Sequence, residues 1–251
     1  MSIIQVKKLK KKYDEFEAIR GIDFEVEEGE VFGLLGPNGA GKTTTVEILE
    51  GLIKSTSGEA YINDLDVSKD TKLVKKIIGV QLQSVNFFEK LSLFEIIDLF
   101  STLYSYSVDP NKILERVGLS NKRDSYFKTL SGGQKQRLSI AVALVNNPKV
   151  LFFDEPTTGL DPQARRNLWE LIKSFQEEGK TVVLTTHYME EAEELCDRVA
   201  IIDEGKIIKI NSPSNLIDEL TSSGFKSSKK IREATLEDVF IDLTGKSLRE
   251  D

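Results

Sequence analysis

The chain of 251 residues is poor in cysteine, in net positive charge and in long apolar runs. Its one cysteine, Cys196, cannot form an internal disulfide, so a thiol-reducing compartment suits the chain and we expect this side chain to be buried. No apolar run approaches the roughly 20 residues that span a bilayer, and the first residues lack the apolar core of a signal peptide. We therefore expect contact with a membrane only through a partner.

The charge balance argues against nucleic acid as a partner. The formal net charge is −7 and the sequence pI is about 5.1, whereas general nucleic-acid binding needs a basic surface. The one strongly basic run, residues 7–12, predicts a solvated strand at the edge of a sheet, where lysines discourage pairing between edges.

Strand-like and helix-like segments alternate along most of the chain, which predicts an α/β fold with a mostly parallel sheet. Residues 3–6 and 22–26 have the pattern of short strands. Residues 30–35, 150–154 and 181–186 are apolar runs of the kind found in buried strands.

The pattern changes in the middle of the chain. Residues 84–148 contain little strand signal and many aromatics, which predicts an inserted helical subdomain. We expect residues 1–220 to form one domain, with a core from residues 1–83 and 149–220 around that insert. Residues 221–251 are predicted to be a mobile linker followed by a short C-terminal helix, because a Ser/Lys-rich stretch precedes a capping box.

A glycine-rich phosphate loop (residues 36–43) carries the strongest motif. A predicted strand precedes it and a predicted helix follows it, which is the context such a loop requires. Glycines let backbone N–H groups point at phosphate oxygens, and the helix N-terminus adds partial positive charge. We expect Lys42 to reach the outer phosphates and Thr43 to ligate Mg²⁺; the alternative is a glycine-rich turn that binds nothing. The predicted nucleotide-binding residues here are Gly36, Pro37, Asn38, Gly39, Ala40, Gly41, Lys42, Thr43 and Thr44.

A second cradle (residues 130–134) lies beyond the predicted helices. Ser131 is suited to cap the helix that follows, while Gly132 and Gly133 allow the backbone to approach an anion. Taken alone, this sequence is equally typical of a loop before a helix. The two cradles cannot both serve one nucleotide within one copy of the fold.

Polar residues follow three of the predicted strands. Asp154 and Glu155 end an apolar strand, which favours one carboxylate at a metal and its neighbour at a water molecule over a solvated strand terminus. His187, the only histidine, follows another strand, where it either senses a phosphate or has a structural role. Gln83 follows the strand predicted at residues 77–82, and its amide either reaches metal or water or lies on the surface.

With these features in this order, residues 3–212 closely resemble the ATPase subunits of ABC transporters. The matching positions are Tyr13 for the A-loop aromatic that stacks on adenine, residues 36–43 for Walker A, Gln83 for the Q-loop, residues 130–134 for the signature, Asp154 and Glu155 for Walker B, residues 158–161 for the D-loop, and His187 for the H-switch. In isolation, Tyr13 is also explained as an exposed loop residue. The D-loop departs from the pattern, because Thr158-Gly159 stands where Ser-Ala is frequent.

The resemblance implies a RecA-like P-loop NTPase core with an N-terminal antiparallel β part. It implies ATP and Mg²⁺ as ligands, with Glu155, His187, Lys42 and Gln83 as catalytic residues and with Thr43, Gln83 and Asp154 at the metal. It further implies nucleotide contacts from Ser131, Gly132, Gly133, Gln134 and Asp161 across a head-to-tail dimer. Each ATP would then lie between the phosphate loop of one copy and the second cradle of the other.

Two functions follow from the resemblance. The first is an ATPase that powers a separate transmembrane permease from the cytoplasmic face of the cell membrane, paired with an identical or paralogous subunit. Residues 36–44, 154–162 and 236–240 resemble exporters of the drug or polysaccharide type, although the region after residue 212 is short for that group. The alternative is a soluble ABC ATPase that acts as an assembly or scaffold factor.

Overall fold

Two β-sheets organise the part of the chain that the structure describes. The structure is a computed structural model that describes residues 1–81, 87–223, 239 and 242–244. Its strands are β1 (Ser2–Tyr13), β2 (Phe16–Glu27), β3 (Val31–Leu35), β4 (Ser57–Ile62), β5 (Leu65–Asp66), β6 (Ile78–Gln81), β7 (Val150–Asp154), β8 (Thr181–Thr186), β9 (Arg198–Asp203) and β10 (Lys206–Asn211). A four-stranded antiparallel sheet has the order β2-β1-β4-β5, and a six-stranded sheet has the order β10-β9-β3-β8-β7-β6.

The six-stranded sheet places the polar strand ends together. Strands β6, β7, β8, β3 and β9 are parallel, and only β10 is antiparallel to its neighbour. Leu35 pairs with Thr186, and Asp154 pairs with Thr185. The carboxyl ends of β3, β7 and β8 therefore meet at one edge, where ligands bind in open α/β sheets. The predicted α/β class with its antiparallel N-terminal part is confirmed.

Strands β3, β7 and β8 are buried along their whole length, so each contributes to both faces of the sheet. Along β7, Leu151 and Phe153 pack into a core shared with the inserted helices, whereas Val150 and Phe152 pack towards the antiparallel sheet. This two-sided burial is why these strands appear in the sequence as unbroken apolar runs.

Eight α-helices complete the described fold. They are α1 (Lys42–Leu49), α2 (Thr71–Ile77), α3 (Leu93–Tyr104), α4 (Pro110–Arg116), α5 (Gly132–Ala143), α6 (Pro162–Glu177), α7 (Met189–Leu195) and α8 (Pro213–Ser222). Helices α3 to α5 follow one another between β6 and β7, with no strand among the described residues of that segment. Helix α6 begins as the sequence predicts, because the Asp161 side chain accepts a hydrogen bond from the Ala164 N–H at 2.9 Å and Pro162 occupies the first position.

The antiparallel sheet differs from the sequence prediction in two ways. Strands β1 and β2 each run for 12 residues, much longer than the short strands predicted, because irregularities in their register let pairing continue through the lysine-rich run. The edge position predicted for residues 7–12 is wrong. Strand β1 lies between β2 and β4, and the backbone of Lys10 pairs with both Arg20 and Ser57.

Some predictions fall outside the described residues. They are Gln83 and the linker and capping box of the C-terminal region, and the proposed division of the chain at residue 220 stays a prediction. Cys196 is buried, as predicted. Within the described ranges, no helix combines the length and the apolar character needed to cross a bilayer.

Candidate functional site

The phosphate loop connects the end of β3 to the start of α1, and its glycines are required by close backbone contacts. A Cβ added at Gly36 would lie 2.1 Å from the carbonyl oxygen of Ile202. Gly41 has φ of +104°, and a Cβ there would lie 2.6 Å from the carbonyl oxygen of Ala18. No larger residue fits either position without moving backbone. The loop thus lies tightly between the strand ends and the antiparallel sheet.

Lys42 is folded back into this loop. Its Nζ donates hydrogen bonds to the carbonyl oxygens of Gly36 at 2.8 Å and Pro37 at 3.0 Å, and its side chain is only 5% exposed. Burial lowers the pKa of its ammonium group, while the carboxylates of Glu155 and Asp154 oppose that shift. A nearly buried cation held by carbonyl oxygens is placed to exchange these neutral partners for phosphate.

Thr43 and Asp154 bring oxygen atoms together beside the loop. The Thr43 hydroxyl lies 3.2 Å from Asp154 Oδ2, and the Thr185 hydroxyl donates a hydrogen bond to Asp154 Oδ1. Hydroxyl and carboxylate oxygens are ligands that Mg²⁺ prefers, usually together with phosphate oxygens and water. These two residues therefore fit a magnesium site. In the described part of the chain, no group of three or more histidine, cysteine or acidic residues is placed to hold a metal by itself.

Glu155 and His187 face each other at the ends of β7 and β8. Glu155 Oε1 lies 3.2 Å from His187 Nδ1 and 3.9 Å from Lys42 Nζ, and its Oε2 accepts a hydrogen bond from the Thr158 hydroxyl at 3.2 Å. Its backbone is strained, with φ of +48°, and its N–H donates to the carbonyl and hydroxyl oxygens of Thr185. Such strain orients the carboxylate towards the loop instead of along the strand.

Two aromatic residues form the outer wall of the site. Tyr13 and Phe16 are paired at the end of the β1–β2 hairpin and are 44% and 60% exposed. Sequence analysis identified Tyr13 but missed Phe16. The signal that would have found it is a second aromatic at the far side of the Asp14-Glu15 turn, since a tight hairpin places such residues opposite each other.

These elements enclose a cavity of about 590 Å³. Its lining residues are Tyr13, Phe16, Ala18, Asn38, Gly39, Gly41, Lys42, Thr43, Thr44, Glu155, Thr158 and His187. Three chain segments that are distant in sequence thus meet as predicted. Besides Phe16, sequence reasoning missed Ala18 in the wall and Thr158 and Thr185 as hydrogen-bond partners of the two carboxylates.

The second cradle lies elsewhere. Ser131 caps α5 through a capping box with Gln134, and neither residue lines the cavity. Ser131 and Gly132 are exposed, and a Cβ at Gly133 would lie 3.3 Å from Ala164 on α6. Asp161 is exposed at the start of α6 and is also absent from the cavity lining. Gln83 lies outside the described residues, so its predicted position at the metal stays a prediction.

Comparison with known proteins gives a consistent result. Residues 19–158 match the family described as ABC transporter. The chain is 39% identical to the linearmycin resistance ATP-binding protein LnrL of Bacillus subtilis (strain 168), over 87% of this chain and 72% of that protein. It is 40% identical to the Nod factor export ATP-binding protein I of Cupriavidus metallidurans (strain CH34), over 86% of this chain and 73% of that protein. A solved dimeric ATP-binding cassette, MJ0796 bound to ADP and Pi, superposes with a TM-score of 0.75 at 28% identity, covering 83% of this chain and 98% of that one.

Proposed function

Because this chain belongs to the ABC transporter family as an ATP-binding cassette, we propose that it hydrolyses ATP as one half of a head-to-tail dimer. We propose further that the dimer drives export through a separate transmembrane permease. The observation that carries the dimer is the separation of the two cradles, since the cavity lining contains the phosphate loop and none of residues 130–134. The dimeric state of the related cassette MJ0796 supports this arrangement.

The phosphate loop holds the triphosphate in this proposal. Backbone N–H groups and the N-terminus of α1 bind its oxygens, and Lys42 turns from the carbonyl oxygens of Gly36 and Pro37 to the outer phosphates. Thr43 and Asp154, with Gln83, hold Mg²⁺, which when bound neutralises phosphate charge. Tyr13 and Phe16 provide apolar surface for the base. The partner copy contributes Ser131, Gly132, Gly133, Gln134 and Asp161 on the other side of the nucleotide.

Glu155 and His187 act on the attacking water. The water oxygen bonds to the γ-phosphorus while the bond from that phosphorus to the bridging oxygen breaks, which gives ADP and phosphate. Glu155 orients this water and accepts its proton, and the 3.2 Å contact with His187 Nδ1 fixes the carboxylate in position. His187 also holds the γ-phosphate, so most of the rate enhancement comes from positioning and electrostatics.

The inserted helices offer a surface for the permease. Phe88, Leu103, Tyr104 and Tyr106 are between 43% and 68% exposed there, whereas most apolar side chains of α3 are buried or half-buried. Exposed apolar patches mark sites of protein association. Export is the direction that the printed names of the relatives support, since one concerns drug resistance and another Nod factor export. The cassette then works at the cytoplasmic face of the membrane.

Replacing Glu155 tests the proposed function. Glu155→Gln keeps the phosphate loop and Lys42 but removes the base, so we expect hydrolysis to fall by about 10²- to 10⁴-fold while ATP still binds. Unhydrolysed Mg-ATP should then hold two copies together, which gel filtration with and without Mg-ATP detects. Glu178→Gln, which alters an ion pair with Arg116, is the matched control. A Glu155→Gln chain that stays monomeric with Mg-ATP would contradict the dimer.

A further inference from the structure

Helix α7 carries one acidic residue whose surroundings differ from those of its neighbours. The sequence from Met189 to Glu194 contains four glutamates, and a run of this kind predicts a solvated helix face. Glu190, Glu193 and Glu194 are exposed, but Glu191 is 0% exposed. A carboxyl group is rarely buried unless hydrogen-bonding partners surround it, so its position requires an explanation beyond packing.

Four side chains from different segments surround the Glu191 carboxyl group. Its Oε1 accepts a hydrogen bond from Nε1 of Trp169 at 3.3 Å. Burial raises the pKa of Glu191, and the hydroxyls of Thr186 and Thr157, the indole N–H of Trp169 and the charge of Arg165 oppose that shift. The carboxyl group is therefore desolvated and depends on these neighbours instead of water.

The partners of Glu191 are adjacent in sequence to the catalytic groups. Thr186 immediately precedes His187, and Thr157 lies two residues after Glu155. Trp169 and Arg165 belong to α6, the helix that Asp161 caps. One buried carboxyl group thus connects the segment before the histidine, the turn after the catalytic carboxylate and the helix after the D-loop.

We propose that Glu191 is a positioning residue that holds His187 and Glu155 in their mutual geometry and connects them to α6. This inference rests on the proposed function, because it assigns Glu191 a role in the same hydrolysis step. Glu191 does not line the cavity and does not touch the nucleotide. Its effect passes through Thr186 and Thr157, which set where the two catalytic side chains begin.

A second set of contacts fixes His187 from its other neighbour. The ring of Tyr188 lies 4.1 Å from the ring of His187, and the guanidinium of Arg165 lies 5.1 Å from the centre of the Tyr188 ring. The Tyr188 N–H donates to the Thr186 hydroxyl at 2.9 Å, the same hydroxyl that faces Glu191. Both residues that flank His187 are therefore held by the contact between α6 and α7. A movement of α6 caused by a partner at Asp161 would reach His187 through these contacts.

Two substitutions of Glu191 separate positioning from simple space filling. Glu191→Gln keeps a carbonyl acceptor for the Trp169 N–H and nearly the same shape, whereas Glu191→Leu keeps the volume and removes every polar atom. In Glu191→Leu we expect kcat for ATP hydrolysis to fall by about 10- to 100-fold with KM for Mg-ATP within about twofold, since small misplacements of catalytic groups have effects of this size. Glu191→Gln should retain at least about half of the wild-type kcat, because hydrogen bonding is preserved.

Controls exclude a general effect of acidic residues on this helix and a loss of folding. Glu194→Gln removes an exposed charge that pairs with Lys173 at 2.5 Å, and it should leave kcat unchanged. Trp169→Phe is the second variant, because it removes only the indole N–H and keeps an aromatic ring; it should lower kcat in the same direction as Glu191→Leu. Thermal unfolding confirms that each variant is folded.

Trp169 also supplies a local readout that does not depend on activity. It is the only tryptophan in the chain, so its fluorescence reports this site alone. Losing the carboxyl group should shift its emission in Glu191→Leu, while Glu194→Gln should keep the wild-type spectrum.

The inference is overturned if folded Glu191→Leu has the wild-type kcat, if its emission equals that of the wild type, or if only KM rises. A wild-type chain without ATPase activity would refute the proposed function and this inference together. An active wild type with an equally active Glu191→Leu variant would refute the positioning role alone.

Discussion

The phosphate loop and the second cradle use the same chemistry in opposite surroundings. Both present backbone N–H groups at the start of a helix, α1 in one case and α5 in the other. The phosphate loop is enclosed by strand ends, with Lys42 5% exposed and Asp154 7% exposed. Ser131 and Gly132 of the second cradle are exposed, and the hydrogen bonds of Ser131 are those of its own capping box with Gln134.

This difference shows what one copy of the chain lacks. The cavity has a metal-binding pair, a carboxylate with its histidine and an aromatic wall, but these groups lie on one side of the space that a nucleotide would fill. The second cradle has the donors suited to the opposite side and is absent from the cavity lining. A second copy in head-to-tail orientation supplies each cavity with the missing donors, since a two-fold interface exchanges the two surfaces reciprocally.

The largest expected effect comes from the enclosed region. Lys42→Ala removes the only buried cation of the cavity, so we expect ATP hydrolysis to fall by at least about 100-fold through lost phosphate stabilisation. A steady-state phosphate-release assay measures this change. Lys69→Ala, at a lysine whose side chain is 77% exposed, is the matched control. Normal hydrolysis by Lys42→Ala would remove the phosphate loop from the comparison.

A smaller effect is expected at the aromatic wall. Phe16→Ala removes half of the pair with Tyr13, and stacking on a base contributes about 1–3 kcal/mol. We therefore expect KM for ATP to rise about 5- to 50-fold, with kcat changed by less than about threefold. Ile208→Ala, at an exposed apolar residue on β10, should leave both constants unchanged. Unchanged KM in Phe16→Ala would show that the base does not rest on this wall.

The smallest expected effect concerns stability beneath the phosphate loop. Burial raises the pKa of Glu50, which follows α1, from 4.5 to about 8, and Asp154 and Glu47 add to the shift. Between these values folded Glu50 keeps a proton that the unfolded chain has lost, so its contribution to stability falls as pH rises through this window. Glu50→Gln should therefore gain about 1–3 kcal/mol of unfolding free energy relative to the wild type between about pH 4.5 and 8.5. Urea unfolding at both pH values measures it; an equal difference at the two values would contradict the raised pKa.

The enclosed region was largely predictable from the sequence, and the reason is local. Strands β7 and β8 are unbroken apolar runs that end in polar residues, and α6 has its cap and proline in the expected places. These signals lie within a few residues of each other, so tertiary contacts do not need to be known. Parallel strands then bring the phosphate loop, Glu155 and His187 to one edge.

Other features depend on contacts between distant segments. The edge position of residues 7–12 was predicted wrongly because β4, which pairs on the free side of β1, is far along the chain. Phe16 looks like any exposed aromatic until the hairpin register places it beside Tyr13. Glu191 stands in an acidic run that indicates solvent, and only the packing of α7 against α6 buries it.

The account depends most on the claim that each nucleotide is held by two copies, and mixing two inactive variants tests it directly. A Cβ added at Gly132 would meet no atom within 4 Å, so Gly132→Asp has room to fold while its charge repels phosphate. Alone, we expect this variant to bind ATP without hydrolysing it at a significant rate. Mixed in equal amounts with Lys42→Ala, it should regain about a quarter of the wild-type rate, because half of the dimers then hold one intact site. A mixture no more active than its separate components, or a fully active Gly132→Asp chain, would contradict the account.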